Sequence, residues 1–189
     1  EKEGLAILAK VKQETGMGIV TEVMDSDALP AVAEVADIVQ VGTRNMQNYS
    51  LLKALGKIDR PVLLKRGMSA TLEEFLMAAE YIMAHGNHQV ILCERGIRTF
   101  TNHSRNTLDV SIVPAIKALS HLPIIIDPSH AAGKTYMVGP LMRASAALGA
   151  DGIIVECHDE PSKAWSDGAQ ALTIDELAHE MKVLKALLE

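Results

Sequence analysis

The stretch Pro123-Ile124-Ile125-Ile126-Asp127-Pro128-Ser129-His130 joins an unbroken β-branched run to a group of reactive polar side chains. Consecutive isoleucines cannot alternate between core and water. A strand built from them is covered on both faces, as a parallel strand is between layers of helices. The same form recurs along the chain in Gly18-Ile19-Val20-Thr21-Glu22-Val23, Asp37-Ile38-Val39-Gln40-Val41-Gly42, Pro61-Val62-Leu63-Leu64-Lys65, Gln89-Val90-Ile91-Leu92-Cys93 and Gly152-Ile153-Ile154-Val155-Glu156. Segments of helical period lie between these runs. Leu5, Leu8, Ala9 and Val11 share one face of the opening segment, and Leu72, Phe75, Leu76, Ala79 and Ile82 share one face of another. Thr71 with Glu74, and Thr173 with Glu176, have capping-box spacing and mark two helix starts. The order is one helix followed by six strand–helix units.

Strict alternation predicts a parallel α/β sheet with right-handed crossovers. A doubly wound sheet would carry a glycine-rich phosphate loop after its first strand, and no such motif occurs. A (β/α)8 barrel instead places polar, reactive residues at the C-terminal ends of several strands. Thr21-Glu22, Arg44-Asn45, Lys65-Arg66, Glu94-Arg95, Asp127-Ser129-His130 and Glu156-His158 fit that placement. The barrel, or TIM-barrel, reading is therefore favoured. Eight units would take about 250 residues, whereas this chain has 189 and opens on a helix. The expectation is one TIM-barrel catalytic domain over residues 1–189, incomplete, with about six units and without its first two strands.

The composition is that of a globular protein: 48% hydrophobic and 22% charged residues, with a net charge of −6. Aromatic residues make up only 3%, so the core must be aliphatic. The acidic balance argues against a nucleic-acid partner. No apolar run reaches the roughly 18 residues of a membrane span, so no membrane partner is expected. The opening Glu1-Lys2-Glu3 does not resemble a signal peptide. Cys93 and Cys157 are too few for a disulfide framework, and a cytoplasmic location with reduced thiols is expected.

Two constellations carry chemistry. Arg44, Lys65 and Arg95 follow three successive strands, and in a closed barrel they would converge on one mouth. Three cations in one place call for an anion, and phosphate or carboxylate suits Arg and Lys. Taken singly, each is better read as a partner for a surface carboxylate; the matched placement favours the anion site. His130, Glu156 and Asp167 offer an imidazole and two carboxylates, a donor set suited to Mn, Fe, Co or Zn. Strand alternation puts Glu156 and His158 on one face and turns Cys157 toward the helices. Cys93 is read as core filling, and the methionines as aliphatic filler. His85, His88, His121 and His179 are expected at the surface. Trp165 is expected to shield the adjacent Ser-Asp-Gly turn.

The motifs Val41-Gly42-Thr43-Arg44-Asn45, Leu64-Lys65-Arg66-Gly67, Leu92-Cys93-Glu94-Arg95-Gly96-Ile97-Arg98-Thr99, Asp127-Pro128-Ser129-His130 and Ser166-Asp167-Gly168 span the chain. Together they resemble 3-deoxy-D-arabino-heptulosonate 7-phosphate (DAHP) synthase, the first enzyme of the shikimate pathway of aromatic amino-acid biosynthesis, in its type Iβ form. The resemblance implies a metal-dependent transferase that condenses phosphoenolpyruvate with erythrose 4-phosphate and releases phosphate. It further implies that Arg44 and Arg95 bind the phosphate of phosphoenolpyruvate. Lys65 is implied as the catalytic and substrate-binding residue at its carboxylate and reacting carbons. His130, Glu156 and Asp167 are implied as three of four metal ligands, in a homo-oligomeric enzyme. The family's fourth ligand, a Cys in a Gly-Pro-Cys motif, and its aldose-phosphate loop, Lys-Pro-Arg-Thr-Ser, do not occur. Full activity of this chain alone is therefore not expected. The related 3-deoxy-manno-octulosonate 8-phosphate synthase is the alternative enzyme, and a non-catalytic piece of the same fold is the alternative of another class.

Overall fold

A computed structural model describes residues 2–189. The chain divides into two compact units, residues 1–92 and 93–189.

The first unit opens with α1 (Lys2–Thr15), followed by β1 (Val20–Val23), α2 (Leu29–Val35), β2 (Ile38–Val41), α3 (Tyr49–Leu55), β3 (Val62–Lys65) and α4 (Leu72–Met83). It ends in the first residues of β4 (Val90–Glu94). β1 pairs parallel with β2, Val20 opposite Ile38 and Val23 opposite Val41. β2 pairs parallel with β3, Val41 opposite Leu64. Val62 N–H donates to Gln89 C=O at 2.8 Å and ties β3 to the entry of β4. Every residue of β3 is buried, as its apolar run predicts. Phe75, Ala79 and Ile82 of α4 are buried with Leu51, Leu52 and Leu55 of α3. Each fully buried large side chain contributes roughly 1.5–3 kcal/mol of transfer free energy. The Thr71 capping box forms: Thr71 Oγ1 accepts from Glu74 N–H at 3.1 Å, and Glu74 Oε2 accepts from Thr71 N–H at 2.8 Å.

The second unit takes up the end of β4, then α5 (Ile112–Leu119), β5 (Ile124–Ile126), α6 (Pro128–Ala132), α7 (Thr135–Ala147), β6 (Gly152–Ile153) and α8 (Ile174–Leu188). Asp127 N–H donates to Glu94 C=O at 2.8 Å, joining β5 to β4. β5 pairs parallel with β6, Ile125 opposite Gly152. The Thr173 box also forms, with Thr173 Oγ1 accepting from Glu176 N–H at 3.2 Å. Val138, Met142, Leu172 and Leu184 form the core beneath α7 and α8.

Strand order follows chain order in each unit: β1-β2-β3-β4 in the first, and β4-β5-β6 in the second. A doubly wound sheet reverses direction at a switch point. No reversal occurs here, so the singly wound, barrel-type reading holds. One device recurs at the strand entries. Asp37, just before β2, takes Lys12 Nζ on Oδ1 at 2.6 Å and Ile19 N–H on Oδ2 at 2.7 Å. Asp151, just before β6, takes Lys117 Nζ at 2.7 Å and Ile124 N–H at 2.8 Å in the same way. Lys12 and the Ile19 amide hold the Asp37 carboxyl below its usual range. At Asp151, burial pushes upward, but Lys117 and the Ile124 amide prevail and its carboxyl is also lowered.

Two expectations change, and α1 adds a feature that the sequence leaves open. The run Gly152–Glu156 is a strand only over Gly152–Ile153. Beyond Ile154, Glu156 N–H turns to Ser129 Oγ and Cys157 bridges to Leu172, so the ladder to β5 stops. The apolar face of α1 contributes no buried residue. Leu5, Ile7 and Leu8 instead line a cavity of about 550 Å³ with Met24 and Val32. Trp165 shields nothing, because its side chain is fully exposed. No helix among the described residues is long and apolar enough to cross a membrane.

Candidate active site

In the second unit, β5 delivers Asp127 to the N-cap of α6. Pro128 occupies the first helical turn, where its missing N–H costs nothing. Asp127 Oδ1 accepts from His130 N–H at 3.0 Å, and Oδ2 lies 2.8 Å from His130 Nδ1. The second contact has the distance of an ion pair without the alignment of a hydrogen bond, and Nδ1 has no hydrogen-bond partner. The imidazole is nevertheless oriented by its neighbour. With Nδ1 turned to Asp127, Nε2 faces the other two candidate ligands. Glu156 Oε1 lies 3.5 Å from Nε2, and Asp167 Oδ2 lies 3.8 Å from it.

His130, Glu156 and Asp167 each offer one donor atom, all within 4.8 Å of one another. Donors around a divalent cation with bonds of about 2.0–2.2 Å stand about 3–3.5 Å apart. The observed spacing needs only small side-chain movements to close on an ion. The donor chemistry fits as well: one neutral nitrogen and two anionic oxygens suit a borderline divalent metal. The three are half-buried, so an ion would remain reachable from solvent. Ser129, fully buried, holds the backbone of Glu156 through its Oγ at 3.0 Å. His158, which shares strand parity with Glu156, is not in the cluster and contacts Asp159 at 2.9 Å. Cys157 is half-buried, and burial together with the Glu176 carboxylate pushes its thiol up.

Sequence reasoning missed Arg105 and Gln170. Arg105 Nη1 donates to Asp167 Oδ1 at 2.8 Å and to Gln170 Oε1 at 3.0 Å. No motif announces this contact, because its partners lie 62 and 65 residues further along the chain.

Arg95 follows β4 and is 6% exposed. Burial, abetted by Arg105, lowers its pKa, while Asp127 and Glu94 oppose the shift. Its Nη1 is buried with no hydrogen-bond partner. A guanidinium with an unspent buried donor is suited to an anion that would complete it. The turn after it is fixed from below: fully buried Glu94 accepts Gly96 N–H on Oε1 at 2.6 Å.

In the first unit, Lys65 ends β3 and is buried, as is Arg66, whose Nε donates to Ala70 C=O at 3.0 Å. Arg44 is exposed on a single 3-10 turn, Thr43–Asn45, after β2. It lines a cavity of about 330 Å³ together with Thr43, Gly67, Ser69 and Glu74. Both residues thus follow the C-terminal ends of paired strands, Arg44 exposed and Lys65 buried. Cys93 is fully buried, in keeping with core filling. His88, His121 and His179 are exposed, and His85 is half-buried beside Tyr81.

Comparison with known proteins shows the family. A phospho-2-dehydro-3-deoxyheptonate aldolase of Thermotoga maritima is 55% identical over 186 residues, covering 97% of this chain and 55% of the relative. A 2-dehydro-3-deoxyphosphooctonate aldolase of Syntrophotalea carbinolica is 30% identical over 197 residues, covering 98% of this chain and 70% of its own length. Among solved structures, a truncated form of 3-deoxy-D-arabino-heptulosonate 7-phosphate synthase from Thermotoga maritima superposes with a TM-score of 0.97 at 52% identity, covering 99% of this chain and 71% of that one. The chain thus spans little more than half the length of its Thermotoga relative. The profile of the DAHP synthetase I family matches residues 1–189, and the chain belongs to that family.

Proposed function

We propose that the chain carries most of the catalytic barrel of a DAHP synthase, which joins phosphoenolpyruvate to erythrose 4-phosphate, takes up water and releases phosphate. The observation that carries the reading is the cluster of His130, Glu156 and Asp167, with the unspent buried donor of Arg95 in the same unit. His130 Nε2, Glu156 and Asp167 would hold a divalent cation, one of Mn, Fe, Co or Zn. When bound, it supplies Lewis-acid polarisation of the aldehyde carbonyl. Arg95, joined by Arg44, takes the phosphate of phosphoenolpyruvate. Lys65 takes the carboxylate and stands by the reacting carbons. The cations offset the repulsion within a multiply charged anion and hold C3 of the enol for attack on the aldehyde. Asp127 keeps the imidazole turned so that Nε2 stays available.

The six strands would be six of the barrel's eight. The remaining strand–helix–strand would bring the fourth ligand and the aldose-phosphate loop. Two apolar cavities beside the terminal strands support this reading. One is the 550 Å³ cavity against α1 and β1 in the first unit. The other, of about 820 Å³ in the second unit, is lined by Met142, Ile153, Val155, Leu177, Leu184 and Leu188. The parent enzyme is expected to be cytoplasmic and homo-oligomeric.

Calorimetry of this chain with phosphoenolpyruvate and Mn²⁺ tests the reading. Binding that Arg95→Met removes is expected, and absence of binding with metal present overturns it. The octulosonate alternative draws on relatives such as that of Syntrophotalea carbinolica, at 30% identity against 55% for the Thermotoga heptonate aldolase. With the missing segment restored, phosphate release on adding erythrose 4-phosphate and not arabinose 5-phosphate is expected; the reverse would favour the alternative.

A further inference from the structure

Residues 105 and 106 grip both sides of the metal-type cluster. Arg105 N–H donates to Ala132 C=O at 2.9 Å, and Asn106 N–H to Ala131 C=O at 2.8 Å, which zips this segment along α6. Asn106, itself buried, donates from Nδ2 to the carbonyl of His130 at 3.1 Å. Its neighbour Arg105 sends Nη1 to Asp167 Oδ1 and to the buried Gln170. Gln170 N–H in turn donates to Asp167 C=O at 3.0 Å. One dipeptide thus holds the His130 backbone with one side chain and the Asp167 carboxylate with the other.

Asp167 needs such a hold. Its φ of 54° makes it the one non-glycine residue in the left-handed region among the described residues. That conformation costs on the order of 1 kcal/mol and persists only where the surroundings enforce it. The Arg105 contact also separates the two carboxylate oxygens. Oδ1 is spent on the guanidinium, whereas Oδ2 faces His130 Nε2. Gly133 makes room for this arrangement, since a Cβ there would lie 2.5 Å from Arg105 Cβ.

We propose that Arg105 is a positioning residue which, with Asn106, sets the spacing of His130 and Asp167 and restricts Asp167 to one-oxygen ligation through Oδ2. The inference rests on the metal-site reading above. Arg105 also places a positive charge beside the Asp167 carboxylate, which holds that carboxylate in place before an ion arrives.

The experiment measures Co²⁺ affinity by chelator competition, and the visible Co²⁺ spectrum, for the parent chain and for Arg105→Met, Arg105→Lys and His130→Ala. Folding of each variant is checked by circular dichroism. His130→Ala is expected to abolish binding. If it binds as the parent does, the metal reading itself fails. Arg105→Met is expected to weaken binding by about 100-fold and to shift the visible bands, as loss of a ligand-orienting partner does. Arg105→Lys keeps the charge but not the fork, so about a tenfold loss is expected. Parent-like affinity and spectrum in the Arg105 variants, with binding lost in His130→Ala, would overturn the positioning role. If Arg105→Met does not fold, Arg105→Lys decides by the same two readouts.

Discussion

Gly96→Ala is the sharpest probe of how the loop after β4 meets α6. Gly96 has φ of 94°, and a Cβ built on it would lie 2.8 Å from Asn106 Cβ, 2.9 Å from Ala131 Cα and 3.0 Å from Ala131 Cβ. These are backbone-proximal atoms that cannot swing aside. The backbone term alone costs about 1–2 kcal/mol, and forcing a methyl into packed surroundings adds about 1–3 kcal/mol. The expected loss is therefore about 2–5 kcal/mol. Gly149→Ala is the control. Gly149 also has a positive φ, 79°, but nothing lies within 4 Å of its built Cβ. It should lose only the backbone term, about 1–2 kcal/mol. In a chain of this size 1 kcal/mol moves the melting temperature by about 2–4 °C, so the two variants should separate in a thermal melt and in urea. Gly96→Ala should also weaken metal binding, because Asn106 reaches His130 from the segment being displaced. Equal destabilisation of the two variants would refute the claim that close contact, and not φ alone, demands glycine at position 96.

Other perturbations follow from the same geometry. Asp37 and Asp151 have lowered carboxyl pKa values, so folding gains from their ionisation above the unfolded value of about 4 and loses that gain as pH falls through the lower folded value. Asp151→Asn should flatten the acid limb of a stability–pH curve in that window, and an unchanged limb would count against the Lys117 and Ile124 contacts. Cys157 should alkylate more slowly than a free thiol at pH 8, since its pKa is raised by burial and Glu176. Glu176→Gln, which preserves the cap, should speed the reaction with iodoacetamide; no change would assign the whole shift to burial. Asp127→Asn should lower metal affinity by about tenfold with little change in phosphoenolpyruvate affinity, read by chelator competition and calorimetry, and an equal loss of both would contradict its role as the orienter of His130.

The strands are legible because most of the apolar runs are bounded by proline, glycine or a charged residue, and β3 is as buried as its run predicts. Both capping boxes were legible because a cap is a local contact, closed within three residues. β6 ends sooner than its composition predicts: Ile154 N–H still reaches Ile126 C=O, but the N–H of Glu156 goes to Ser129 Oγ and its C=O to Leu172 N–H. That ending is set by residues tens of positions away and leaves no trace in local periodicity. Much the same limit applies to α1, whose apolar spacing is helical whether or not anything covers it.

The candidate site divides along the same line. The side chains that would touch an ion are announced by their motifs, because Asp-Pro-Ser-His encodes its own N-cap and Ser-Asp-Gly its own turn. What spaces those side chains is not announced. Arg105 and Asn106 lie in a loop without distinctive composition, and their contacts run 24 residues to His130 and 62 to Asp167. The identity of the candidate ligands is thus local information and their spacing is long-range information. On the proposed site, a change in the 105–106 loop would alter metal binding while leaving every recognisable motif intact.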